Sequence, residues 1–458
     1  MDNLIDRLQS IVGENGIISG PDLARRAVSY WDPSPTDAKA LVRPQSTREV
    51  SDVLRVCHER GQAVVIQGGL TGVVEGALAG PDEIIVSLER MTAIESVDAM
   101  DGVAVIQAGA VLQSVQEQLK EQGFLFPLDL GARGSCTIGG NVATNAGGMN
   151  VLRFGMIRNL VLGLEVVLAD GRVLTSMNQM LKNNTGYDLK QLFIGSEGTL
   201  GVVTRVVIKL FPLPASRQTA LLATESFDSV VRVLKIMQSD LAGTLSAYEV
   251  MWNGFFKAVT IDGAHRSPLS RDYPYYLLVE AEGADPGADE QRFQKTLEKV
   301  FEAGDVVDAV IPKSDTERDA LWAIREDFEA ALPAYLYDIS LPIKAMTAYV
   351  DRLERAFSEW RSDAICLVFG HIADGNLHLF VTPFDEGTHH ERCNEIVYGC
   401  LEGLGGSISA EHGIGLDKKA WLGSTRSEDE IEIMRGLKNL LDPTNILNAG
   451  KVLDDKAQ

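Results

Sequence analysis

The N-terminal half of the chain alternates between short apolar runs and amphipathic segments. Residues 48–60 repeat their apolar side chains with helical spacing, and Gly61 ends that predicted helix. The apolar runs at 63–67, 83–88 and 102–110 predict buried strands, and residues 111–123 predict a second helix. Residues 160–175 predict a hairpin with Asp170 and Gly171 as its two-residue turn.

The pattern changes after Pro212-Leu213-Pro214, which ends a strand predicted over residues 198–211. Proline interrupts both helices and strands, so this segment predicts a domain boundary. Beyond it, apolar strands alternate with amphipathic helices, and from about residue 420 the chain becomes helical and acidic. Helices and hairpins in this mixture predict an α+β protein.

Charge and composition narrow the classes of partner. The 458 residues include 42 Lys and Arg against 64 Asp and Glu, a formal charge of −22. This charge argues against nucleic acid or an anionic membrane surface as the main partner. No apolar stretch approaches the roughly 18 residues of a spanning helix, and the first ten residues do not resemble a secretory signal. Five cysteines without paired spacing indicate free thiols in a reducing compartment, and we expect a cytoplasmic protein.

Three glycine-rich loops are concentrated before the predicted boundary. The first spans Gln67 to Gly72 directly after a strand, the second covers residues 131–148, and the third covers residues 195–201. None has the spacing of a dinucleotide fingerprint or a P-loop. Taken alone, the first loop is also explained as a tight turn. Three such loops together favour a ligand that carries a diphosphate, because glycine lets backbone N–H groups approach phosphate closely.

These three loops resemble the FAD domain of the p-cresol methylhydroxylase and vanillyl-alcohol oxidase superfamily. The resemblance implies a two-subdomain FAD-binding domain. Members that bond FAD covalently often use a His in the first loop; none lies between Gln67 and Gly76, so we expect non-covalent FAD. The positions matched to the cofactor are Gln67, Gly68, Gly69, Leu70, Thr71, Gly72, Leu128, Asp129, Gly134, Ser135, Thr137, Ile138, Gly139, Gly140, Thr144, Asn145, Gly147, Glu197, Gly198, Gly201, Val202, Val203 and Asn448.

A second concentration of chemistry is a predicted hairpin over residues 368–381. Asp374-Gly375 favours a two-residue turn, which would place His371 directly opposite His378 and Phe369 opposite Phe380. Facing imidazoles at that spacing can bind one metal ion. The alternative is a pair of structural histidines on a half-buried hairpin.

A third motif, Glu411-His412-Gly413-Ile414-Gly415, combines a carboxylate, an imidazole and glycines in a loop. This composition suits one metal ligand beside one acid–base group. The alternative is the first turn of a helix, where Glu411 would interact favourably with the helix dipole.

The two histidine motifs, together with residues 321–326 and 445–451, resemble the FAD-linked D-2-hydroxyacid dehydrogenases, which include D-lactate, glycolate and D-2-hydroxyglutarate enzymes. The resemblance implies that His371, His378 and Glu411 bind a divalent metal, with zinc expected. It implies that His412 is the base and that Arg325 binds the substrate carboxylate. Hydride transfer to the flavin then completes oxidation of the 2-hydroxy acid to the 2-oxo acid.

The resemblance also implies the organisation of the chain and its partners. We expect an FAD-binding domain over 1–213, an α+β substrate and metal-binding cap domain with an antiparallel sheet over 214–415, and a helical segment over 416–458 that returns to the FAD domain. The electron acceptor stays open among electron-transfer flavoprotein, quinone and cytochrome, and a homodimer is one option. A flavin oxidase that uses oxygen and a flavin- or metal-binding protein with an inactive site are the alternative functions.

Three positions depart from the 2-hydroxyglutarate branch of this family. Where that branch has Thr, Lys and Asn around its dicarboxylate substrate, this chain has Glu329, Leu336 and Phe380. An added acid and two lost polar groups make a poor site for a second carboxylate. We therefore expect a D-lactate-like substrate in preference to D-2-hydroxyglutarate.

Overall fold

The structure is a computed structural model and describes residues 3–241, 243–262, 265–327, 331–382 and 388–454. The chain forms two compact units. The first comprises residues up to 147, 155–213 and from 411 onward, and the second comprises residues 148–154 and 214–410. Residues 148–154 thus belong with the second unit and residues 411–415 with the first, whereas the sequence placed these segments the other way round.

The strands within the described residues are β1 (Ile17–Ile18), β2 (Ala40–Val42), β3 (Val64–Gln67), β4 (Ile84–Ser87), β5 (Ile94–Asp98), β6 (Val103–Gln107), β7 (Phe124–Leu125), β8 (Val161–Val167), β9 (Val173–Ser176), β10 (Val202–Lys209), β11 (Phe211–Pro212), β12 (Ser216–Thr224), β13 (Leu245–Trp252), β14 (Tyr275–Gly283), β15 (Asp308–Val310), β16 (Tyr335–Ser340), β17 (Ile365–His371) and β18 (Asn376–Thr382).

The α-helices within the same residues are α1 (Leu4–Val12), α2 (Thr47–Glu59), α3 (Leu112–Glu121), α4 (Ile138–Thr144), α5 (Val151–Phe154), α6 (Ile157–Leu160), α7 (Lys190–Phe193), α8 (Phe227–Asp240), α9 (Asn253–Lys257), α10 (Pro286–Glu302), α11 (Asp315–Glu326), α12 (Met346–Trp360), α13 (His390–Gly399) and α14 (Glu428–Leu441). None of these helices is long and apolar enough to cross a membrane.

The first unit contains two main sheets. In the smaller, of order β1-β2-β4-β3, strands β2 and β3 run parallel to β4, and all three are largely buried. In the larger, of order β5-β6-β10-β8-β9, every pairing is antiparallel. Parallel strands end at the same edge, so the loop after β3 leaves the sheet where a ligand can reach its backbone.

The second unit is built on one antiparallel sheet of order β15-β12-β14-β13-β17-β18-β16. Ser226 is the N-cap of helix α8, and its side chain accepts a hydrogen bond from the Ser229 N–H. Ser314 caps α11 in the same way. An apolar cluster on this sheet includes Phe255, Phe369 and Phe380. The α+β prediction and the antiparallel cap sheet are therefore confirmed.

Both Asp-Gly turns are longer than predicted. Val167 pairs with Val173, which leaves five residues between them, and β17 and β18 are separated by residues 372–375. A two-residue type I′ turn needs positive φ at both central residues. Only the glycines have it here, with φ of 83° at Gly171 and 91° at Gly375.

The longer turn shifts the register of the β17–β18 hairpin by two residues. His378 lies opposite Phe369, and Phe380 lies opposite Leu367. The predicted direct pairing of His371 with His378 is therefore wrong. Because a shift of two residues preserves the alternation of side chains, both histidines still point to the same face.

Candidate active site

The first glycine loop packs tightly against the second. A side chain at Gly69 would place its Cβ 2.1 Å from the carbonyl oxygen of Ser135, and one at Gly68 would come within 2.5 Å of Thr137 Oγ1. Only glycine permits this approach. The two predicted cofactor loops are thus in direct contact within the first unit.

The backbone of the first loop presents unused hydrogen-bond donors. Within the described part of the chain, the N–H groups of residues 68–72 have no acceptor, although Leu70 and Thr71 accept through their carbonyl oxygens. Leu70 has φ of 59°, a left-handed conformation that turns the chain sharply after β3. A run of free N–H groups at the end of a buried strand fits the diphosphate of FAD.

The third loop joins the other two through its backbone and Asn448. The Glu197 N–H donates to Ala143 in α4 over 2.8 Å. The side chain of Asn448 accepts from the Ile66 N–H over 2.9 Å and donates to the Glu197 carbonyl oxygen over 2.6 Å. The buried Asn448 therefore connects β3, which precedes the first loop, with the third loop.

The side chain of Glu197 binds the backbone of the final segment of the first unit. Its carboxylate accepts the N–H groups of Ile414 and Gly415 over 2.8 and 2.9 Å. Burial raises its pKa, and the hydrogen bonds and the charges of Lys418 and Lys451 oppose this shift without cancelling it. Glu197 thus fixes the loop that follows His412, and its contact with FAD stays a prediction.

The remaining predicted cofactor positions lie in the three glycine loops or directly beside them. Thr137 caps α4 by accepting from the Gly140 N–H, and Asn145 ends that helix with φ of 51°. Gly139 lies against Ala108, where a Cβ would approach within 2.6 Å. The other positions are Gln67, Gly72, Leu128, Asp129, Gly134, Ile138, Thr144, Gly147, Gly198, Gly201, Val202 and Val203, all within the first unit.

In the second unit, the two hairpin histidines lie close together. Their ring centroids are 5.2 Å apart, and the planes are nearly perpendicular at 81°. His378 lies opposite Asp338 on β16, a carboxylate with no exposed surface, and its Nδ1 is 3.9 Å from the Asp338 oxygen. Imidazole nitrogens backed by carboxylates are a donor set that suits a divalent metal such as zinc.

A buried ion-pair network stands behind His371. Glu249 on β13 accepts from His371 Nδ1 over 2.6 Å and from Arg325 Nε and Nη2 over 2.7 Å each. The guanidinium of Arg325 also lies 4.6 Å above the ring of Phe369. Burial would raise the pKa of Glu249, but the charges of His371 and Arg325 outweigh it and lower that pKa to about 2.

The sequence did not indicate that Glu249 belongs to this network, because it lies 122 residues from His371 and 76 residues from Arg325. Its only signal is a single acid within the apolar strand LSAYEVMW. Arg325, which was predicted to bind a substrate carboxylate, is 3% exposed and already paired. Its role toward substrate stays a prediction.

Glu411 and His412 are the first residues of the final segment of the first unit and directly follow Ala410 of the second. The Ala410 N–H donates to the carboxylate of Asp338 over 3.0 Å, and Asn376 donates to the same carboxylate over 2.7 Å. The metal-binding role of Glu411 and the acid–base role of His412 stay predictions.

Two of the three substrate positions are described, and both are apolar and packed together. Leu336 lies opposite Phe380 across β16 and β18, and both contact the apolar cluster around Phe369. Phe380 is 6% exposed, with its ring 5.1 Å from that of Phe369. Glu329 lies outside the described residues.

Comparison with known proteins identifies the family. Residues 38–176 match the FAD binding domain, and residues 213–452 match the C-terminal domain of FAD linked oxidases. The mitochondrial D-2-hydroxyglutarate dehydrogenase of Bos taurus is 44% identical over 92% of this chain and 78% of its own length. The D-2-hydroxyglutarate dehydrogenase of Xanthomonas citri is 39% identical, over 95% and 92%.

A putative mitochondrial D-lactate dehydrogenase of Schizosaccharomyces pombe is 36% identical over 96% of this chain and 88% of its own length. Among solved structures, p-cresol methylhydroxylase with bound substrate covers 98% of this chain and 96% of that chain, with a TM-score of 0.79 at 14% identity. That likeness shows the fold.

The chain belongs to the FAD-linked D-2-hydroxyacid dehydrogenases. The predicted fold, the enzyme class and the FAD cofactor are thereby confirmed. The prediction of a cytoplasmic protein is contradicted, because the eukaryotic relatives are named as mitochondrial proteins. Free thiols do not distinguish one reducing compartment from another.

Proposed function

We propose that this protein oxidises a D-2-hydroxy acid with a neutral or apolar side chain, using non-covalent FAD and a divalent metal. The observation that carries the proposal is the division of one face of the second unit's sheet. Glu249, His371, His378 and Asp338 form its polar part, and the apolar part around Phe380 adjoins it. A substrate with a carboxylate and a hydroxyl at one end and a short apolar side chain at the other matches that division.

The residues would act as follows. Arg325 would bind the substrate carboxylate through the N–H groups that Glu249 does not use. His412 would accept the hydroxyl proton. When bound, FAD would accept the hydride from the same carbon, and a metal held by His371, His378 and Glu411 would polarise the hydroxyl.

The preference against a dicarboxylate rests on Leu336 and Phe380. Loss of a charge-assisted hydrogen bond costs about 1.5–3 kcal/mol, and an unpaired buried carboxylate costs more. Two such losses correspond to a bias of about a hundredfold or more. The names of the D-2-hydroxyglutarate dehydrogenase relatives point the other way, so the preference needs direct measurement.

The test is an anaerobic screen in which D- and L-2-hydroxy acids are mixed with the purified protein and flavin bleaching is followed. We expect bleaching by D-lactate or a longer apolar homologue, with kcat/KM at least about a hundredfold above that for D-2-hydroxyglutarate. A ratio that favours D-2-hydroxyglutarate would reject the substrate assignment. Rapid oxygen consumption with stoichiometric peroxide would instead identify an oxidase.

A reciprocal variant sharpens the test. Leu336→Lys combined with Phe380→Asn restores the two polar groups and should raise kcat/KM for D-2-hydroxyglutarate while lowering it for D-lactate. Ile365→Lys is the matched control, because it adds the same charge to an exposed position at the start of β17. The control should leave the ratio unchanged.

Non-covalent binding of FAD is tested separately. The purified protein should be yellow and should release FAD into the supernatant after acid or heat precipitation. Flavin that stays with the precipitated protein would contradict the non-covalent assignment.

A further inference from the structure

Glu249 connects two residues that the sequence assigned to different tasks. One carboxylate oxygen is 2.6 Å from Nδ1 of His371, a predicted metal ligand. The other accepts from Nε and Nη2 of Arg325, the predicted substrate-binding residue, over 2.7 Å each. All three side chains are buried, with 1% of Glu249 and 3% of Arg325 exposed.

The contact with Glu249 fixes which ring nitrogen of His371 carries a proton. A carboxylate accepts hydrogen bonds only, so the short contact requires a proton on Nδ1. In the neutral imidazole, which is the form that binds a metal, the lone pair is then on Nε2. A ligand histidine commonly has its other nitrogen held in this way.

The same carboxylate fixes the guanidinium of Arg325. It occupies Nε and one N–H of Nη2, while the ring of Phe369 covers one face at 4.6 Å. The edge that carries Nη1 is therefore the part of the planar fork that can meet another carboxylate. The negative charge of Glu249 also balances the buried cation.

We infer that Glu249 is a positioning residue that sets the tautomer of His371 and the orientation of Arg325 at the same time. This inference rests on the proposed function, since it assigns both neighbours the roles given there. It adds that one residue, Glu249, orients both the predicted metal ligand and the predicted substrate-binding residue. Glu249 lies on β13, which contributes no predicted ligand.

Substitution by glutamine gives a sharp test, because both neighbours of Glu249 are donors. An amide has one acceptor oxygen, and Arg325 can only donate. In Glu249→Gln the oxygen should therefore face Arg325, and the amide N–H should face His371. Nδ1 must then accept, which moves the ring proton to Nε2 and blocks that nitrogen as a ligand.

The first measurement is the imidazole ¹⁵N spectrum of the metal-free full-length protein labelled at histidine, with His371 assigned from its loss in His371→Gln. We expect the Nδ1–H tautomer in the wild type and the Nε2–H tautomer in Glu249→Gln. An Nε2–H tautomer in the wild type, or no change in the variant, would overturn the inference. This readout does not depend on turnover, so it separates the inference from the proposed function.

The second measurement is zinc affinity by competition with a chromophoric chelator. Glu249→Gln should weaken binding by about 10–100-fold, and KM for the hydroxy acid should rise together with a fall in kcat. Glu249→Asp, which keeps two acceptor oxygens, should recover part of both. Unchanged zinc affinity and KM in Glu249→Gln would count against the positioning role.

Glu282→Gln is the matched control for a merely structural effect. Glu282 is 4% exposed in the same sheet and accepts from Arg217 over 2.6 Å, and neither Arg217 nor its other ion-pair partner, Arg153, is a predicted site residue. It should lower the melting temperature without changing zinc affinity or the His371 spectrum. Wild-type protein whose flavin is not bleached by any D-2-hydroxy acid would reject the proposed function alone and leave the tautomer result to decide the role of Glu249.

Discussion

Glu197 in the first unit and Glu249 in the second are both enclosed carboxylates, yet their pKa values shift in opposite directions. Backbone N–H groups of Ile414 and Gly415 solvate Glu197, and burial still raises its pKa. Glu249 is held by Arg325 and His371, whose charges lower its pKa to about 2 despite burial. Two backbone N–H groups and the charges of Lys418 and Lys451 therefore leave the pKa of Glu197 raised, whereas direct ion pairs with Arg325 and His371 lower that of Glu249.

The predicted sites of the two units also differ in whether the main chain or the side chains form them. The first unit builds its predicted cofactor site from glycine loops, free N–H groups and Asn448, so close approach of the main chain decides what can bind. The second unit builds its site from ionisable side chains on a sheet, so the identity of each side chain decides the chemistry. The following predictions test this division from the largest expected effect to the smallest.

Removal of one imidazole should remove nearly all turnover while FAD stays bound. His378→Ala should lose bound metal and reduce kcat by about a thousandfold, because metal polarisation contributes several kcal/mol. The measurements are metal content, FAD-to-protein ratio and kcat. His389→Ala is the control, since His389 packs against Trp360 and was not assigned to the site. Full activity after exhaustive chelation would contradict a role for the metal.

A single added methyl group in the first unit should have the converse effect, namely loss of FAD. In Gly69→Ala the added Cβ would meet the Ser135 carbonyl at 2.1 Å, so the two loops must separate. We expect loss of most FAD and a fall in the free energy of unfolding of about 1–3 kcal/mol. Gly436→Ala on α14 has open space and should be neutral or stabilising by about 0.5–1 kcal/mol.

Gly72→Ala sharpens the same prediction, because none of the described residues apart from its chain neighbours has an atom within 4 Å of the added Cβ. The metal-free, FAD-free protein should therefore keep its stability. If the diphosphate lies against the N–H groups of the first loop, FAD affinity should fall while stability does not. Equal FAD affinity in Gly69→Ala and the wild type would disprove the placement of the cofactor.

Asn448→Ala should weaken the same site by a smaller amount. It leaves the Ile66 N–H and the Glu197 carbonyl without their partner, and each unsatisfied buried group costs about 1–3 kcal/mol. FAD retention during gel filtration and the urea midpoint should both fall. Asn183→Ala, at an exposed turn, should change neither. A normal FAD content in Asn448→Ala would show that this residue is structural only.

The smallest expected effect is on the pH dependence of stability. The pKa of Glu197 is raised above its usual 4.5, so the folded state favours the protonated form. That contribution is complete below pH 4.5 and is lost as the pH rises through the raised pKa. The advantage of the wild type over Glu197→Gln in urea unfolding should therefore shrink from pH 5 to pH 8. A constant difference would show that the carboxyl group titrates normally.

The sequence alone determined those features that depend on local chemistry. Glycine spacing in the three loops, the order of the histidine motifs and the proline boundary were sufficient for the FAD fold, the enzyme class and the common face of His371 and His378. Each of these follows from backbone freedom or from alternation along a strand, and both are properties of neighbouring residues.

Only the tertiary structure decided the partners of those residues. The register of β17 and β18 depended on where the chain turns, and Asp374 does not have the positive φ that the shorter turn requires. No local signal identifies the partners of Glu249 and Asn448, because His371 lies 122 residues from Glu249 and Ile66 lies 382 residues from Asn448. Pairings over such separations are set by the packing of sheets and loops, which a periodicity in the sequence does not encode.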